Sequence, residues 1–142
     1  MSSNLRYCED LFNYSRRESR VITVGNVKMG GGHPVVVQSM ITADTRDTEA
    51  CVTEVVQLAN AGCEIVRITA QTRKYAQNLE NIRDGVRAAG CAVPLVADIH
   101  FKPDAAFEAA KWVEKVRVNP GNYVDKKKFE IREYTDEQYE EE

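Results

Sequence analysis

Arg67 and Arg117 each interrupt an otherwise apolar run, Ile65-Val66-Arg67-Ile68 and Val116-Arg117-Val118. A guanidinium in such a setting needs a carboxylate or phosphate partner, because moving an unpaired charge out of water is costly. Between the two stands Asp98-Ile99-His100. If a strand continues through it, Asp98 and His100 share a side, and the carboxylate can orient the imidazole and set its protonation. Asn119-Pro120-Gly121-Asn122 follows Arg117, a turn composition whose amides could grip a ligand or the next helix. Gln38 and Ser39 close an earlier apolar run. Two arginines and a histidine against one aspartate make a cationic set. A small anionic ligand, first of all a phosphate ester, fits that set, and an ion pair with Asp98 is the structural alternative.

Other motifs carry less. Gly30-Gly31-Gly32-His33 invites comparison with a phosphate loop, but no Lys-Ser or Lys-Thr follows and the next element reads as a strand, so a hairpin turn is expected. The four cysteines, Cys8, Cys51, Cys63 and Cys91, form no CxxC pair; they read as buried free thiols, with a disulfide or metal site the lesser reading, and no complete metal site is expected. Lys126-Lys127-Lys128 and the acidic tail read as solvated helix surface.

Alternating strands and helices would bring the polar residues together. Arg20 to Val24 and the β-branched run Pro34 to Met40 read as strands, with the three glycines turning between them as a hairpin that leads into the main sheet and the second strand a buried parallel one. A helix is expected from Thr45 to Ala61, capped by Asp44 or Thr45 and stopped at Gly62, with Val52, Val55, Val56 and Ala59 as its apolar stripe. A strand from Glu64 to Thr69 follows. A second helix opens at Thr72, places Tyr75, Leu79, Ile82 and Val86 on one face, and ends at Gly90. Next come a strand from Val93 to Asp98, a helix from Pro103 through Trp112, and a strand from Lys115 to Asn119. Strands joined by helices run parallel, so their carboxyl ends, which carry the polar residues, converge on one rim.

At 142 residues and 43% hydrophobic content, the chain can bury one core. A formal charge of −3 and 8% aromatic content argue against a general nucleic-acid binder. No apolar run reaches membrane length, and the start lacks the basic-then-apolar layout of a secretory signal, so the cytoplasm is the expected compartment. The expected organisation is an extension over residues 1–19, half of a (β/α)8 barrel over 20–122, and the charged start of a further element over 123–142. A closed barrel takes about 250 residues, so an α/β chain of this pattern would supply its first half and leave sheet edges open.

Val37-Gln38-Ser39-Met40, Ile65-Val66-Arg67-Ile68, Pro94-Leu95-Val96-Ala97-Asp98-Ile99-His100-Phe101 and Arg117-Val118-Asn119-Pro120-Gly121-Asn122, in this order, closely resemble the amino-terminal part of the hydroxymethylbutenyl diphosphate synthase family. These are the iron-sulfur enzymes of the methylerythritol phosphate route to isoprenoids. The resemblance runs from about Arg16 onward, and the ending Arg132 to Tyr139 is similar to the longer form of plants and some bacteria; without a Ser- and Arg-rich transit peptide, a bacterial source is expected.

The resemblance implies a TIM-type barrel and reductive ring opening of methylerythritol cyclodiphosphate. It implies electrons from ferredoxin or flavodoxin, passed through a 4Fe-4S cluster, in a homodimeric parent. Carried onto matching positions, it implies that Arg67, Arg117 and Asn119 hold phosphate oxygens, with Asn122 a further candidate, and that His100, supported by Asp98, stands beside the substrate. The family's cluster ligands, three cysteines and a glutamate near the carboxyl terminus, match none of the cysteines here, so this chain alone is expected to hold no cluster and to be inactive. A pterin-binding synthase-like barrel and a noncatalytic α/β assembly module are the rival readings.

Overall fold

The computed structural model describes residues 12–13, 18–121 and 135. Cys8, Asn122 and the charged segment 123–142, Thr135 apart, lie outside the described residues. A two-stranded antiparallel hairpin, β1 (Ile22–Val24) and β2 (Val27–Met29), precedes a four-stranded parallel sheet of β3 (Gln38–Met40), β4 (Ile65–Thr69), β5 (Leu95–Ile99) and β6 (Lys115–Val118). Helices α1 (Thr48–Asn60), α2 (Arg73–Ala88) and α3 (Pro103–Ala109) connect the parallel strands. The strand order β3-β4-β5-β6 follows the chain, as successive βαβ units of a barrel require.

The hairpin differs from the sequence expectation. Val24 pairs with Val27 across the two-residue turn Gly25-Asn26, and the three glycines lie after β2 rather than between the expected partners. The 34–40 run joins the parallel sheet as expected but does not pair with β1, and only its last three residues form a strand. Nor is it fully buried: Val35 is 79% and Val37 55% exposed in the segment before β3, at the edge of the sheet. A β-branched apolar run records a preference for extended backbone, not which neighbour will cover it.

Strand alternation divides the sheet into two faces. Val66, Ile68, Leu95, Ala97 and Ile99 point to the helices and form the main core with Cys51, Val55, Ala76, Leu79, Ile82 and Val86. Each of the larger of these side chains contributes roughly 1.5–3 kcal/mol by leaving water. On the opposite face, Ile65 and Val96 pack with Val24, Val27, Met29 and Val36, so the hairpin covers the amino-terminal end of that face. The polar residues occupy its other end.

Helix boundaries shift by a few residues from those expected. α1 begins after Asp47, whose carboxylate accepts from Ala50 N at 3.0 Å, so the cap is Asp47 rather than Asp44 or Thr45. α2 starts after Thr72 as expected, while α3 ends at Ala109 and leaves Trp112 in the following turn. The two Ala-Gly-Cys triplets close α1 and α2 alike: Gly62 and Gly90 take φ of +102° and +75°, and Cys63 N and Cys91 N donate to Leu58 O and Val86 O. This is the six-to-one bond of a Schellman ending, which a left-handed glycine permits. α1 and α2 approach closely at Gly85, where a β-carbon would stand 2.6 Å from Val52 Cγ2.

Acidic side chains tie the strand starts. Glu64, just before β4, accepts from Val37 N at 2.8 Å, and Glu114, just before β6, accepts from Leu95 N and Arg87 Nη2, each at 2.7 Å. Arg87 Nη1 also donates to the Cys91 and Val93 carbonyls at 3.0 and 2.9 Å. These bonds fix the strands at the end remote from the polar residues.

Candidate functional site at the carboxyl rim of the sheet

Register puts the polar residues on one face. Met40, Arg67, Val96 and Lys115 form one rung across the sheet, and Thr69, Asp98 and Arg117 form the next rung toward the carboxyl rim. Arg117 Nη1 donates to Asp98 Oδ1 at 2.8 Å. From the rung below, Arg67 brings Nε within 3.5 Å of Asp98 Oδ2. That contact is electrostatic rather than a formed hydrogen bond: Nε is buried and has no hydrogen-bond partner. Arg67 Nη2 donates to Met40 Sδ at 3.3 Å.

The Asp98 side chain is 5% exposed, against 30% for Arg67 and 43% for Arg117. One buried carboxylate thus holds two guanidinium groups that open toward solvent. The ion-pair alternative and a cationic site are therefore present in one arrangement, since a single aspartate balances only one of the two positive charges. Lys115, half-buried on the lower rung of the same face, adds a cation that attention to strand ends overlooked.

His100 follows β5 directly, in a bend, with its ring centroid 5.9 Å from that of Phe101. Because β5 ends at Ile99, strand alternation does not extend to His100, and the expectation that it shares a side with Asp98 loses that basis. The carboxylate expected to support an imidazole is engaged by Arg67 and Arg117. Asn119 lies half-buried just after β6, its Oδ1 3.7 Å from where a β-carbon on Gly121 would stand. Pro120 and Gly121 then enter helical backbone rather than an isolated turn.

The loop from β3 to α1 borders the rim and is held from three sides. Glu54 accepts from Thr42 N at 3.0 Å and Ala43 N at 2.8 Å, and also from Thr42 Oγ1 at 2.9 Å. Burial raises the Glu54 pKa, but these donations outweigh it and leave it below the ordinary glutamate value. Thr45 Oγ1 donates to Thr69 O at 2.6 Å, and Asn78 Nδ2 to Thr45 O at 2.7 Å. A cavity of about 370 Å³ lies under this loop, lined in part by Thr45, Thr69, Gln71 and Tyr75. A larger cleft of about 640 Å³, reached by His33, Cys63 and Cys91, is at the opposite end of the strands.

Among the described residues no group of three or more His, Cys, Asp or Glu side chains is placed to hold a metal ion. Burial pushes the Cys51 thiol up to about 11, so it stays protonated at neutral pH. No helix of the described residues is long and apolar enough to cross a membrane.

The family model for the GcpE TIM-barrel domain matches residues 19–138. This chain belongs to the GcpE TIM-barrel family. The four-stranded parallel sheet with its three helices is accordingly a partial barrel of that family. Among curated proteins, the chain is 67% identical over 136 residues to the 4-hydroxy-3-methylbut-2-en-1-yl diphosphate synthase (flavodoxin) of Akkermansia muciniphila, a match covering 96% of this chain and 23% of that protein. Proteins of the same name from Leptospira interrogans and Bacteroides fragilis are 52% identical over 139 residues and 53% over 131, covering 98% and 92% of this chain and 21% of each relative. The chain spans about a fifth of the length of the curated relatives it matches. The family and barrel expected from the strand-end motifs are those found.

Proposed function

We propose that this chain forms the amino-terminal half-barrel, over residues 20–122, of an enzyme that reductively opens methylerythritol cyclodiphosphate to hydroxymethylbutenyl diphosphate, and that its rim supplies part of the diphosphate site. The observation that carries the reading is the buried Asp98 carboxylate set between two partly exposed arginines, Arg67 and Arg117. A dianionic group entering above Asp98 would meet both guanidinium groups, that of Arg117 already oriented by its charge-assisted hydrogen bond to Asp98. The names of the relatives, which give the diphosphate they make, support the product of the reaction.

In this reading Arg67, Arg117 and Asn119 bind phosphate oxygens, with Asn122, outside the described residues, as a further ligand. His100, placed at the end of β5, contacts the substrate, and Asp98 is a positioning residue for the arginines. The 4Fe-4S cluster of the parent would supply the two electrons. The described cysteines of this chain do not fit a cluster site, so no step is assigned to them. A flavodoxin, as in the relatives' names, is the proposed electron donor, ferredoxin being the other candidate, and the parent is proposed to be a cytoplasmic homodimer. Calorimetric titration of the full-length protein with inorganic pyrophosphate tests the site: micromolar to millimolar binding that is weakened by Arg67→Ala and Arg117→Ala is expected, and binding indifferent to both would refute it.

A further inference from the structure

We infer that Met40 is a positioning residue for the diphosphate site, holding the Arg67 guanidinium in an open, ligand-ready orientation through its thioether sulfur. The inference rests on the diphosphate reading above and deepens it. Met40 and Arg67 are register partners on β3 and β4, and Arg67 Nη2 donates to Met40 Sδ at 3.3 Å. On its other side the same guanidinium stops short of Asp98: Nε stays 3.5 Å from Oδ2 and unpartnered, although buried. A small swing toward Asp98 would complete a two-point pair and satisfy Nε.

The sulfur bears on which way the guanidinium leans. A thioether is a weak, uncharged acceptor, so it can orient a guanidinium without cancelling its charge. A carboxylate at this place would neutralise Arg67. An alkyl side chain would leave Nη2 without a partner on that side and let the guanidinium close onto Asp98, which would use up donors that a phosphate oxygen needs. A weak acceptor is also readily displaced: an incoming phosphate oxygen can take Nη2 from sulfur at little cost, whereas it would have to compete with a carboxylate. Position 40 is thus suited to a polarisable, neutral side chain, and leucine, its nearest match in volume, is not equivalent.

The test is calorimetric titration of inorganic pyrophosphate into the full-length protein and its Met40→Leu, Met40→Gln and Arg67→Ala variants, with thermal melts and steady-state kinetics alongside. Met40→Leu is expected to weaken pyrophosphate binding about fivefold to tenfold, the scale of one neutral hydrogen bond, and to raise KM while kcat holds. Met40→Gln, which restores a neutral acceptor, is expected to stay within about twofold of the parent, by the same scale. A packing role alone predicts the reverse order, because leucine conserves volume and apolarity better than glutamine. Affinity unchanged in Met40→Leu, or a larger loss in Met40→Gln than in Met40→Leu, would overturn the inference while an impaired Arg67→Ala left the diphosphate reading standing. Pyrophosphate binding that is indifferent to Arg67→Ala would remove both.

Discussion

Arg117 and Asp98 are register partners on β6 and β5, joined by a 2.8 Å hydrogen bond, and Asp98 also lies 3.5 Å from Arg67 on β4. A single carboxylate therefore spans three neighbouring strands. Replacing it by asparagine keeps the shape and removes the charge that gathers the arginines. Asp98→Asn is expected to cost about 1–2 kcal/mol of stability, the lower part of the range for a charged hydrogen bond because Arg117 can relax into water. Pyrophosphate affinity and turnover of the cyclodiphosphate should both fall, turnover at least about tenfold, as misplacement of binding groups does. Affinity and turnover both unchanged would contradict an orienting role.

Arg67→Ala and Arg117→Ala in the full-length enzyme should each weaken diphosphate binding by about 1.5–3 kcal/mol, the scale of a charge-assisted hydrogen bond. Steady-state kinetics check this, and an unchanged Michaelis constant and rate in both variants would take them out of the site.

Glu54 clamps the loop beside the rim through donors from Thr42 and Ala43. Its folded pKa lies below the ordinary glutamate value of 4.5, so its contribution is present above that value and disappears as pH falls through the folded pKa. Glu54→Ala should lower stability by about 1 kcal/mol near neutrality, a figure reduced for solvent screening, and the difference from the parent should vanish in acid. Denaturant melts across pH would show it; a deficit that grows in acid would be inconsistent with the clamp.

Gly85→Ala should destabilise despite the gain in helix propensity of about 1 kcal/mol. The added β-carbon would stand 2.6 Å from Val52 Cγ2, a β-branched side chain with little rotamer freedom. A net loss of about 1–3 kcal/mol is expected from the overpacking, with recovery when Val52→Ala is combined with it. Additive losses in the double variant would point elsewhere.

Iron and sulfide reconstitution of this chain alone should yield neither a cluster absorption band nor turnover, because its described cysteines form no cluster site. Either signal would overturn that expectation.

Periodicity and end signals made much of this fold legible. Leu79, Ile82 and Val86 face the core as their helical spacing requires, and Gly62 and Gly90 stop their helices in the left-handed conformation. The placement of Asp98 and Arg117 toward the strand ends was legible for the same reason, since alternation and direction are local properties, whereas Arg67 falls at the middle of β4. The hairpin's true partner strand was not legible, because pairing is not local. The apolar run 34–40 suits either an antiparallel or a parallel neighbour, and the neighbour is chosen by what else packs there.

From residue order alone came the alternating elements and the cationic residues toward the strand ends, which follow from side-chain type and spacing, while the family came from the resemblance of four short stretches to known motifs. Folding in three dimensions decided that Asp98 serves two arginines at once, that Met40 touches Arg67, and that Glu54 holds the rim loop. Those contacts join residues well separated along the chain through strand register and helix packing, and a long side chain takes whichever acceptor that packing brings within reach.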